Sequence, residues 1–131
     1  MRVMLDSNVI LSALLFPGET MKELMSKITS KYWFVLSSYI IGEIYDVARR
    51  KFPDKVTILK DLLNQLTYEL VSTPDKIDSN LFEIRDMKDY PTLYSAIVGK
   101  VDVFVTGDKD FDNVEVDKPE IVTPAEFVDK Y

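Results

Sequence analysis

The chain has 131 residues, enough for one hydrophobic core and a single domain over residues 1–131. Its composition, 47% apolar and 29% charged, excludes disordered and collagen-like classes, and no apolar run approaches the roughly 20 residues of a membrane-spanning helix. Lys and Arg number 16 against 22 Asp and Glu, a net charge of −6 that weakens any non-specific hold on nucleic-acid phosphates.

Arg2-Val3-Met4-Leu5 reads as a short buried strand that stops at Asp6. Residues 1–16 are apolar-rich, yet Asp6 lies among them and no small-residue cleavage site follows, so a secretory leader is not expected. Val9 to Leu15 reads as an apolar helix ended by Pro17-Gly18. Met21, Leu24, Met25 and Ile28 then fall at helical spacing, with lysines opposite. Tyr32 to Leu36 is a second strand, and Ser37 or Ser38 caps a helix running to about Lys51, ahead of Pro53. Val56, Leu59, Leu62, Leu63 and Leu66 mark another helix, and Glu69 to Ser72 a short strand. Asp75 to Phe82 fits neither period. Pro91 opens a helix through Val98, Asp102 to Thr106 is a strand, and Glu120 to Val122 is the last one. Thr123-Pro124-Ala125-Glu126 has the cap, first-turn proline and returning Glu of a helix start.

Strands alternating with helices predict an α/β fold: a three-layer α/β/α sandwich with a central, mostly parallel sheet. Such sheets bind ligands beyond the carboxyl ends of their strands. Asp6 ends the first strand and Asp108 follows the strand that stops at Thr106, so two acids distant in sequence are expected at one edge.

The chain has no Cys, which removes disulfides, thiolate zinc sites and cysteine nucleophiles and is compatible with a reducing cytoplasm. It also has no His, which removes Ser–His and Cys–His pairs and imidazole metal sites. Any metal must then be held by oxygen, which favours magnesium or manganese.

Each acid has an ordinary reading beside a chemical one. Asp6 is a good helix cap, and Asn8 is either a cap or a hydrogen-bonding support for a carboxylate. Glu43 lies on or beside the apolar face formed by Ile40, Ile41, Ile44, Val47 and Ala48, where a charge needs compensation. The neighbouring Gly42 weakens the helix and suggests close packing there. Asp89, or Asp86 three residues before it, caps the helix opened by Pro91 or joins a metal site. Thr106-Gly107-Asp108-Lys109-Asp110-Phe111-Asp112 places three acids within five residues, an arrangement that repels itself unless solvated or bound to a cation. The Thr106 hydroxyl is placed to position a water. Acids converging from several segments suit phosphodiester hydrolysis. The basic groups Arg49, Arg50 and Lys51, and Lys22, Lys27 and Lys31, are candidate RNA contacts or plain solvated helix surface.

With these motifs in this order, the chain resembles a PIN domain of the compact prokaryotic kind found among VapBC-type toxin–antitoxin ribonucleases. The opening Arg2 to Ile10, the segment Ser38 to Phe52 with Glu43, Asp89 followed by Ala96, Val103 to Asp108, and Ile121 to Phe127 carry the likeness. The resemblance implies a magnesium- or manganese-dependent endoribonuclease. Asp6, Glu43, Asp89 and Asp108 would hold the metal, with Thr106 and Asn8 in support. It further implies an RNA substrate, an antitoxin protein as partner, homodimers and a cytoplasmic location.

Two other readings compete. One is a non-catalytic PIN-like module that binds RNA or protein, which the acidic balance favours. The other is a haloacid-dehalogenase-type phosphatase, suggested by Gly107-Asp108 with Asp112, although position 8 holds Asn where that chemistry needs an acid.

Overall fold

The computed structural model describes residues 1–131. Five strands, β1 (Arg2–Leu5), β2 (Trp33–Ser37), β3 (Glu69–Val71), β4 (Val103–Val105) and β5 (Glu120–Val122), form one sheet in the order β3-β2-β1-β4-β5. Every neighbouring pair is parallel. Six helices connect or follow them: α1 (Ser7–Leu15), α2 (Glu19–Lys31), α3 (Ser38–Lys51), α4 (Val56–Gln65), α5 (Tyr90–Val98) and α6 (Pro124–Lys130).

Val3, Met4 and Leu5 are all buried, and so are Phe34, Val35 and Leu36 and also Val103, Phe104 and Val105. Successive strand residues point to opposite faces, so the three central strands are covered on both sides and the expected three layers are present. The chain reverses direction across the sheet at β1, with β2 on one side and β4 on the other. That switch leaves a crevice at the carboxyl ends of β1 and β4.

The ends of the elements follow local chemistry. Asp6 caps α1 by accepting the Ser7 N–H, so the helix begins two residues before the apolar run that marks it in the sequence. Of the two serines ahead of α3, Ser37 is the cap, its hydroxyl accepting the Ile40 N–H. Thr123 and Glu126 exchange both bonds of a capping box at the start of α6. Strand ends shift by about one residue. Asp102, for example, lies outside β4 although its backbone pairs with Arg2 and Glu120.

One expectation fails in detail. Gly42 is exposed, and a Cβ placed there meets no heavy atom within 4 Å, so close packing does not explain this glycine. The segment from Ser72 to Asp86 contains no helix or strand. It is pinned instead by side chains: Thr73 bonds Ser38, Tyr39 and Ser95 at its start, and further on the Tyr90 ring stacks on Phe82 at 4.1 Å while its hydroxyl accepts the Leu81 N–H.

Candidate metal centre at the carboxyl edge

Asp6 is 5% exposed at the end of β1, yet its carboxylate is well supplied with donors. One oxygen accepts the Ser7 N–H at 2.8 Å, and the other accepts the Thr106 hydroxyl at 2.7 Å. Thr106, at the end of β4, in turn accepts the Asp108 N–H at 3.0 Å. Its hydroxyl therefore links the Asp6 carboxylate to the backbone of the turn that carries Asp108. The Ser7 hydroxyl donates to Glu43 at 2.6 Å, so α3 is tied to the same point. Asp6, Glu43 and Asp108, drawn from three segments, are thus joined through two hydroxyls.

Asp89 completes the set from a fourth segment, the short turn Met87–Asp89 ahead of α5. It lines a cavity of about 470 Å³ together with Asp6, Ser7, Asn8, Glu43 and Asp108. Tyr39 on α3 donates its hydroxyl to the Lys88 carbonyl at 3.0 Å, which fastens this turn to the helix that carries Glu43. Burial, then the charges of Glu43 and Asp89, hold the Tyr39 hydroxyl above its ordinary pKa, so it stays a donor.

The electrostatics are those of uncompensated negative charge. Burial pushes the Asp6 carboxyl up to about 6; Glu43 and Asp108 add to the rise, while the Thr106 and Ser7 hydrogen bonds oppose it. Asp89 is pushed up to about 7, first by burial and then by Asp108, Asp6, Asp86 and Asp110. No ion pair reaches Asp6, Glu43, Asp89 or Asp108. An oxygen-only donor set of like charges, supported by hydroxyls, has the chemistry that suits a hard divalent cation, although the acids whose oxygens lie within 4.8 Å of one another are Asp86, Asp89 and Asp110.

The remaining acids divide between neighbouring places. Asp86, Asp89 and Asp110 each offer an oxygen, all within 4.8 Å of one another, so Asp89 stands between two acid groups. Asp110 also pairs with Arg85 at 3.6 Å. Asp112 lines a larger adjoining cavity of about 740 Å³, shared with Thr106 and Asp108 but without Asp6, Glu43 or Asp89. The larger cavity therefore lacks the acid convergence, which makes the smaller one the candidate site. Asn8 is exposed at the rim and makes no hydrogen bond to a carboxylate.

The basic candidates also separate. Arg50 and Lys51 line the acid cavity, whereas Arg49 lies over the Tyr45 ring and pairs with Asp46 at 3.4 Å. Lys27 donates to the Val128 carbonyl at 2.6 Å and joins α2 to the α6 layer. Ser7, Tyr39, Asp46 and Lys88 line the cavity as well and were not singled out from the sequence. Only Ser7, sitting between Asp6 and Asn8, had a local signal that pointed to it.

Comparison with known proteins bears on the family and the fold. The PIN domain family model matches residues 2–110. Among solved structures, the chain is similar to one described as the crystal structure of VapBC2 from Rickettsia felis bound to a DNA fragment from their promoter. The TM-score is 0.66 at 16% identity, covering 93% of this chain and 97% of that one. No curated protein matches the sequence.

Proposed function

Given that the chain belongs to the PIN domain family, we propose that it is a metal-dependent endoribonuclease that hydrolyses RNA phosphodiester bonds at its carboxyl-edge acids. The observation that carries this reading is the meeting of Asp6, Glu43, Asp89 and Asp108, from four segments, around one cavity, with none of the four in an ion pair. These four would hold magnesium or manganese. Bound there, the ion supplies the charge that acidifies an attacking water and steadies the departing oxygen.

The chain's own part is positioning. Thr106 and Ser7 fix both oxygens of Asp6, and Ser7 fixes Glu43, so the acids hold their places before substrate arrives. Burial of Asp6 keeps bulk water from competing for its carboxylate. Tyr39 holds the turn bearing Asp89 against α3.

The VapBC2 structure supports two further parts of the proposal: an antitoxin as protein partner and a toxin's role for this chain. Self-association into a homodimer and a cytoplasmic location go with the same reading. No helix is long and apolar enough to cross a membrane. The phosphatase alternative loses ground, because position 8 places no acid beside Asp6 and Asp112 lies outside the acid cavity.

The test is incubation with labelled structured and single-stranded RNAs, in manganese or in chelator, beside a folded Asp6→Asn/Asp108→Asn variant. Cleavage that needs metal and disappears in the variant is the expected result. No cleavage, together with no effect of manganese on the melting temperature, would replace this reading with the binding-module one.

A further inference from the structure

The wall of the acid cavity formed by α3 is graded in charge. Tyr39, Glu43, Asp46, Val47, Arg50 and Lys51 line it, at spacings of three and four residues that define one helix face. Acids occupy the middle of that face and cations its last turn. Glu43 and Arg50 are seven positions apart, about 10 Å along the helix. That separation sets the cations about two helical turns from Glu43 on the same wall of the cavity.

Arg50 and Lys51 are exposed, and neither has a carboxylate within 4.0 Å. Lys88, also unpaired, faces the same cavity from the turn before α5. In a chain of net charge −6 whose cavity is lined by Asp6, Glu43, Asp46, Asp89 and Asp108, a polyanion needs local attraction to approach. Basic residues at a helix carboxyl end also favour the helix dipole, and that role alone makes Arg49, Arg50 and Lys51 equivalent. The structure makes them different. Arg49 is taken up by Tyr45 and Asp46, while the other two face the cavity with no partner.

We propose that Arg50 and Lys51 form a subsite for the phosphate that flanks the scissile one, so that the RNA strand runs along α3 from Glu43 toward the carboxyl end of the helix. This rests on the ribonuclease reading above. The two cations set substrate affinity and the register of the strand, and they take no part in bond cleavage.

The experiment is anisotropy of a labelled single-stranded oligoribonucleotide of mixed sequence, in manganese across a salt series, with every protein carrying Asp108→Asn to stop turnover. Arg50→Ala/Lys51→Ala is expected to weaken binding about 10-fold or more at low salt and to flatten the slope of log affinity against log salt by about 0.7, the change for one phosphate no longer neutralised. Arg49→Ala should leave affinity and slope unchanged. An unaltered slope in the double variant, or an equal loss from Arg49→Ala, overturns the subsite. A wild-type chain that cuts no RNA in manganese and whose melting temperature manganese does not raise overturns the ribonuclease reading itself, whereas a cutting chain indifferent to the double substitution overturns only the subsite.

Discussion

At the amino edge of the sheet, Arg2 of β1 reaches Glu69 of β3, and its backbone N–H donates to Asp102 ahead of β4 at 2.7 Å. Lys118 pairs with Asp102 at 3.2 Å and supplies its cation. At the carboxyl edge the same two strands, β1 and β4, lead into Asp6 and Asp108, and no cation pairs with either. The titration behaviour follows. The Arg2 hydrogen bond holds Glu69 below its ordinary pKa, and the Arg2 N–H does the same for Asp102, whereas burial drives Asp6 upward and, with its acidic neighbours, Asp89 as well. Acids with partners stabilise a fold. Buried acids without a cation destabilise it until something positive binds, and that contrast makes the carboxyl edge the candidate site for a cation.

The largest effect should come from removing charge at that end. Asp89 accepts no hydrogen bond at its carboxylate, so Asp89→Asn leaves no donor stranded. It should lower metal-dependent RNA cleavage by roughly 100-fold or more while raising the melting temperature of chelated protein at pH 8. A variant that is less stable and equally active would erase the distinction between the two edges.

The pH dependence of stability comes next. A carboxyl whose pKa rises on folding gives the native state extra bound protons, so its contribution is fully favourable below about 4 and is lost as pH rises through the folded value. For Asp6, at about 6, the chelated protein should lose on the order of 2–3 kcal/mol between pH 4 and pH 7. Asp89 adds a smaller loss, because its charge is partly screened by solvent. Denaturant titrations in chelator across that range measure it, and manganese should reverse the loss near neutrality. A chelated protein equally stable at both pH values would mean that these charges are compensated.

Ser7→Ala removes the hydroxyl that holds Glu43 and should lower the cleavage rate about 10-fold with little change in RNA affinity, measured as kcat against KM. At the amino edge, Arg2→Ala should destabilise by about 1 kcal/mol in urea denaturation and leave manganese binding unchanged. The smallest effect belongs to Gly42→Ala. The site is exposed and open, so the substitution should stabilise by roughly 0.8 kcal/mol through helix propensity alone.

What was legible in the sequence was periodic or local. β1 and β4 announce themselves as short apolar runs, and each stops at a polar residue that begins the site. Thr123-Pro124-Ala125-Glu126 spells out its own helix start. Glu43 was readable because a charge beside Ile40, Ile44 and Ala48 breaks the pattern of its helix. The partner of Glu43 was not readable, since Ser7 lies 36 positions away and meets it only through the packing of α1 on α3. Which of Asp108, Asp110 and Asp112 face the acid cavity also depended on the turn after β4. There the Asp108 carboxylate accepts the Asp110 N–H, and Asp112 is left on the adjoining cavity. Gly42 was misread because a helix-weakening residue has the same local signature whether its surroundings are crowded or empty. The stretch Asp75 to Phe82 carried no period because it is held by the Tyr90 side chain, through Asp78, Leu81 and Phe82, and not by a backbone ladder of its own.

The most direct measurement is manganese titration by calorimetry on three folded proteins: wild type, Asp6→Asn/Asp108→Asn at the carboxyl edge, and Glu69→Gln/Asp102→Asn at the amino edge. Binding by wild type and by the amino-edge variant, with loss in the carboxyl-edge variant, is the predicted result. No binding by wild type, or undiminished binding by the carboxyl-edge variant, would contradict the assignment of these acids to a metal centre.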